Sequence, residues 1–172
     1  MSEGEQPAEE GASAPRNRVA FTEGSVSLPP GFEDRTTNLF VPANPQLQPN
    51  LSVGRDWMKA GETLETYVDR QLGLLKSQLA SHRLITREAA RLGDGGAALT
   101  GQRIDSIYKS GKSAVYQRQA AFEVAAARVL VFTASSPRGF GDAFEELWAS
   151  WLSSYGAPTP ITPPADRADA AA

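Results

Sequence analysis

Residues Ala97–Val124, AALTGQRIDSIYKSGKSAVYQRQAAFEV, decide how the rest of the chain is read. Ala97–Tyr108 and Ala114–Val124 are rich in β-branched and aromatic residues, which favour strands. The Ser110-Gly111-Lys112 turn between them closes a long hairpin, with Gly111 as the residue that bends most freely. A hairpin makes its two strands antiparallel, so the sheet built around it is expected to be antiparallel too. Arg128–Ala134 reads as the next strand, and Pro137 ends that run.

Reading outward toward the N-terminus, Gly93-Asp94-Gly95-Gly96 is a turn. The piece before it fits two templates. Arg83, Arg87 and Arg91 fall at i, i+4 and i+8, as on a helix face, and the same three would also share one face of a strand. Glu62–Leu79 is the clearest helix, because Leu64, Tyr67, Val68, Gln71, Leu72, Leu75 and Leu79 recur at spacings of three and four. Thr63 is its expected N-cap, with Thr66 where a full capping box would carry Glu. Asn50–Trp57 and Thr36–Val41 alternate as strands, and Val19–Thr22 with Ser25–Leu28 reads as a short hairpin. At the other end, Phe140–Tyr155 is a second helix with Phe144, Leu147, Trp148, Trp151 and Leu152 on one side. The expected fold is α+β: an antiparallel sheet with flanking helices, packed mainly on one face.

Both ends of the 172-residue chain, residues 1–18 and 156–172, are poor in large apolar side chains and are expected to be disordered tails around a domain at 19–155. Of 17 Lys+Arg and 20 Asp+Glu, three bases and six acids lie in those ends, which leaves 14 of each between them. A neutral middle lacks the basic face that nucleic-acid binding requires, so nucleic acid is excluded as an expected partner. No Cys is present, so disulfides, thiolate metal sites and thiol nucleophiles are absent. The acidic N-terminus has neither the basic start nor the apolar core of a secretory signal, and a cytoplasmic location is expected.

Catalysis finds little support. His82 is the single imidazole, and no Gly-x-Ser-x-Gly elbow accompanies it. Gly93–Gly96 lacks the Gly-Lys-Ser/Thr ending of a phosphate loop. The acids are scattered rather than paired, so neither an acid/base couple nor a metal site is expected, and no cofactor.

The strands carry the more useful signal. A sheet covered on one face should alternate apolar and polar residues, yet Thr37, Leu39 and Val41 alternate with Thr36, Asn38 and Phe40, and Leu51 and Val53 with Ser52 and Gly54. A second face lined by Leu, Val, Thr, Ala and Gly is either covered by a dimer partner or the termini, or left open as an apolar groove for a partner.

Phe21–Pro29, Phe32-x-Asp34-Arg35-Thr36-Thr37-Asn38-Leu39-Phe40, Leu51-Ser52-Val53-Gly54-Arg55-Asp56, Leu64-x-x-Tyr67-Val68-x-x-Gln71-Leu72, the paired strands and the closing Trp-bearing helix occur in an order that resembles the DcrB-like family. The likeness is to its cytoplasmic branch, the effector-associated (Eag-type) chaperones of type VI secretion. That resemblance implies a Mog1/PsbP-like fold and a homodimer without catalytic activity. It also implies a role in holding the N-terminal hydrophobic helices of a secreted toxin effector soluble until loading, with the effector's spike-tip domain as a possible further contact. Thr37, Leu39, Leu51, Val53 and Gln71 are the client-binding candidates: aliphatic area from the leucines and valine, hydrogen bonds from the threonine and amide. Thr37 stands where the family favours a β-branched aliphatic residue, which implies a different client or a shallower groove. The competing readings are a general protein- or ligand-binding module of the same fold, and a small hydrolase using His82.

Overall fold

The computed structural model describes residues 18–157. The expected tails therefore lie outside the described residues, apart from Arg18, Gly156 and Ala157. The chain divides into two compact units at Thr36/Thr37. In the first, β1 (Arg18–Phe21) and β2 (Gly24–Ser27) form the expected hairpin, with Val19 opposite Val26.

The second unit holds a six-stranded antiparallel sheet and two helices, an α+β architecture as expected. Its strands are β3 (Thr37–Phe40), β4 (Asn50–Trp57), β5 (Ala80–Leu92), β6 (Leu99–Ser110), β7 (Ser113–Ala125) and β8 (Arg128–Ser136). Their spatial order is β3-β4-β8-β7-β6-β5. Helix α1 (Leu64–Gln78) connects β4 to β5, and α2 (Asp142–Ser153) follows β8. The long hairpin read from sequence is β6–β7, paired from Gln102↔Ala121 to Ser110↔Ser113. The segment with two templates is strand β5, because ten residue pairs tie it to β6. It does not run smoothly: the register shifts between Ala80 and Arg83 and again between Leu84 and Thr86.

The helices lie on opposite faces of the sheet, which corrects the expectation of one covered face. Leu92, Ala120, Phe122, Phe132 and Ala134 form one core with Phe144, Trp148 and Leu152 of α2. Ile104, Ala121 and Val129 form a separate core with Tyr67 and Val68 of α1 and with Met58. Successive strand residues point to opposite faces, so Ala120 and Ala121, or Phe132 and Val131, serve different cores. Strands that are apolar on both faces need a cover on each, and one helix supplies each cover.

Local chemistry fixes both helices. Thr63 caps α1: its Oγ1 accepts from the Thr66 amide at 3.3 Å, while the Thr66 hydroxyl accepts from the Thr63 amide at 2.9 Å. The absence of Glu at this position predicts no full capping box, and the structure corrects that: the box is complete, because the Thr66 hydroxyl reaches back where a carboxylate would. Glu62 adds a two-pronged bond to Arg70, at 2.6 and 2.9 Å. On the other face, Arg118 is 3% exposed and grips Asp105 of β6 and Glu145 of α2 with paired bonds of 2.6–2.9 Å. Its guanidinium lies 5.1–5.7 Å from the rings of Phe140, Phe144 and Trp148, so the charge is packed as well as paired.

Candidate binding face beside helix α1

Strand register assembles the candidate site. Thr37 pairs with Gly54, Gly54 with Val131 and Val131 with Ala121, which makes one row across four strands. Leu39, Ser52, Thr133 and Gln119 form the next. Both rows point to the α1 side, since Ala121 and Val131 pack in the α1 core. Helix α1 packs on β5, β6 and β7, so the rows start beneath it and run out toward β3. Leu39 is 63% exposed at the far end. The open part of this face is small and hydroxylated: Thr37, Ser52, Gly54 and Thr133, with Leu39 and Val131 for apolar area. A Cβ added to Gly54 would stand 3.5 Å from the Thr37 hydroxyl, an ordinary contact, so the row is close without being jammed.

Of the five client-binding candidates, the structure brings Thr37, Leu39 and Gln71 to this side of the sheet. Leu51 and Val53 lie on the opposite face, where they pack against the α2 core. Alternation decides this, because their neighbours Ser52 and Gly54 take the α1 side. Leu51 and Val53 are thus corrected to supports of α2, and Ser52, Gly54, Val131 and Thr133 take their places on the face.

Gln71 sits on α1 at the edge of the face, and its Nε2 donates to Asp56 Oδ2 at 3.0 Å. The Tyr67 hydroxyl donates to the same oxygen at 2.9 Å. Tyr67 is 1% exposed, and burial followed by the Asp56 hydrogen bond pushes its phenol well above the usual range, which keeps it a neutral donor. Asp56 thereby pins the helix to β4 from the groove side. Between α1 and the sheet lies a cavity of about 60 Å³, walled by Val68, Leu75 and Ile104 and bearing the amides of Gln71, Gln102 and Gln119. Asp56, Gln102 and Gln119 were missed in sequence; the usable signal was polar residues at alternate positions of strands whose neighbours are core.

His82 stands near the start of β5, away from these rows. Its Nε2 is buried with no hydrogen-bond partner, and burial, aided by Lys76, holds the imidazole below its usual value. A histidine base needs an acceptor to orient it and a nucleophile within reach, and neither is bonded to it among the described residues. No cluster of three His, Asp or Glu that could hold a metal occurs among the described residues. No described helix is long and apolar enough to cross a membrane.

Similar architecture occurs in PA94 from Pseudomonas aeruginosa, a protein of unknown function whose crystal structure superposes with a TM-score of 0.65 at 20% identity, over 84% of this chain and 98% of that one. The solution structure of PsbP (CyanoP) from Synechocystis sp. PCC 6803 gives a TM-score of 0.41 at 15% identity, over 86% of this chain and 92% of that one. No curated protein matches the chain. The DcrB family model matches residues 23–154, which include the whole six-stranded sheet and both helices. The chain belongs to the DcrB family.

Proposed function

We propose that this protein is a non-catalytic cytoplasmic chaperone that shields the N-terminal transmembrane segments of a type VI secretion effector before the effector is loaded onto the secretion spike, and that it works as a homodimer. The observation that carries the reading is the composition of the face beside α1. Membrane helices associate through small residues and scattered hydrogen bonds rather than through bulky apolar contacts alone. Thr37, Ser52, Gly54 and Thr133 beside Leu39 and Val131 offer a guest helix that mixture. Apolar area on the guest removed from water yields about 25 cal/mol per Å², reduced by the ordering costs of binding. The resemblance in motif order set out above supports taking an effector's transmembrane segment as the guest.

The test is co-expression with the toxin encoded beside this chain's own gene. Soluble yield of the toxin should rise and the two should co-purify, and removing the toxin's apolar N-terminal segment should abolish both. Leu39→Asp should end co-purification without lowering Tm, since Leu39 is exposed. Unchanged toxin yield with and without this chain would refute the proposal. Co-purification that persists without the apolar segment would instead favour a general binding module of the same fold.

A further inference from the structure

The cavity beneath α1 holds two amides whose orientation is dictated by charged neighbours. Asp56 can only accept hydrogen bonds, so the Gln71 group facing it at 3.0 Å must be the NH2. The Gln71 carbonyl oxygen is left without a donor among the described residues. Arg87 can only donate, so the Gln102 atom 2.8 Å from its Nε must be the carbonyl oxygen. The Gln102 NH2 is left without an acceptor among the described residues. Arg87 is itself held by Asp69 and by the Glu65 carbonyl of α1, so it cannot swing aside without giving up the helix. Gln71 and Gln102 line the same cavity, together with Tyr67, Val68 and Ile104. One wall thus offers a fixed acceptor and another a fixed donor, beside the Gln119 amide and the apolar side chains of Val68, Leu75, Ile104, Ala121 and Val131.

We propose that this cavity is a carboxamide-reading pocket: the guest segment inserts an Asn or Gln side chain whose NH2 donates to Gln71 and whose C=O accepts from Gln102. This inference rests on the reading of the α1 face as a guest site and adds the chemistry that site selects. A carboxamide carries a donor and an acceptor side by side, which matches the pair. A carboxylate can only accept, so it would face the Gln71 oxygen with no donor, and a hydrocarbon would leave both amides unsatisfied. A cavity of about 60 Å³ has room for a group of that size or for a couple of waters at ~30 Å³ each. Asp56 and Arg87 are then positioning residues, since they touch the amides and not the guest.

The experiment titrates the full chain against labelled 20-residue Leu/Ala helices in mild detergent, identical except for a central Asn, Asp or Leu, and follows binding by anisotropy. Two hydrogen bonds should make the Asn helix bind about tenfold more tightly than the Leu helix, with Asp weaker than both. Gln71→Leu and Gln102→Leu should each reduce the Asn advantage to near unity while the Leu helix still binds. Asp56→Asn frees Gln71 to turn over and should shrink the advantage as well. A purely structural role for Asp56 would lower affinity for all three helices equally and leave the ratio unchanged. Should Asp56→Asn fail to fold, the two glutamine variants decide. Equal binding of the Asn and Leu helices, or a ratio that survives Gln102→Leu, overturns the pocket and leaves the guest site standing. No binding of any helix by the folded protein overturns both.

Discussion

A methyl group added at Gly101 would lie 2.3 Å from the Ala121 carbonyl oxygen and 2.3 Å from the Phe122 ring. The first obstacle is backbone and the second is a side chain with no exposed surface, so neither can yield cheaply. Gly101→Ala should destabilise the fold by about 1–3 kcal/mol or more, read as a fall in Tm or urea midpoint. The same reasoning separates the client-binding candidates from one another. Val53→Asp should lower Tm sharply because Val53 packs on the α2 core, whereas Leu39→Asp should leave Tm unchanged. Gly54→Ala should fold normally, the new Cβ meeting only the Thr37 hydroxyl at an ordinary distance. The candidates Thr37, Leu39 and Gln71 were legible as types: an aliphatic, a hydroxyl and an amide in strands and a helix too apolar for a one-sided sheet. That Leu51 and Val53 belong to the opposite face was not legible, because alternation states that neighbours diverge without stating which face is the open one.

Each helix is held by a different device, and each predicts a different loss. Helix α1 begins in reciprocal Thr63–Thr66 bonds, so Thr63→Ala should cost about 1 kcal/mol of stability by chemical denaturation. Helix α2 is tied to the sheet by Arg118, and burial alone would weaken that positive charge. The bonds to Asp105 and Glu145 outweigh the burial and raise its proton affinity instead. Arg118→Met should cost about 3–5 kcal/mol, since Asp105 would lose both close bonds and keep only Arg103 Nε, at 3.7 Å, to offset a charge close to the core. Replacing Asp105 by Asn and Glu145 by Gln in the same chain should recover part of that loss. Strand β5 shows why some elements resist reading. Its arginines satisfy helical and extended spacing equally well, and the choice is made by hydrogen bonds to β6, the next strand in the chain, which lie outside the segment itself.

For the whole molecule the clearest expectation concerns acid. Its bonds to Arg70 and to the Lys59 amide lower the Glu62 carboxyl from 4.5 to about 2, and the Arg118 bond lowers Glu145. A carboxyl depressed on folding binds a proton more readily when unfolded, so its contribution to stability is complete above the unfolded value. That contribution fades as pH falls through the folded one. The part of stability owed to Glu62 should therefore be flat above about pH 4.5 and decline toward about pH 2, and the part owed to Glu145 should likewise be lost on the acid side. Thermal melts across that range check it, and the Glu62→Gln, Glu145→Gln pair should show a shallower decline.

The linear sequence by itself determined the elements other than β5, the antiparallel hairpin at their centre and membership in a family, because periodicity, turn residues and motif order are local properties. Only the tertiary structure decided that the helices take opposite faces, that Ser52 and Gly54 rather than Leu51 and Val53 line the α1 side, and that Asp56 and Arg87 set the polarity of two glutamines. Those facts depend on which residues meet across strands tens of positions apart. Such meetings follow from the joint burial of both sheet faces, and no single segment carries that information.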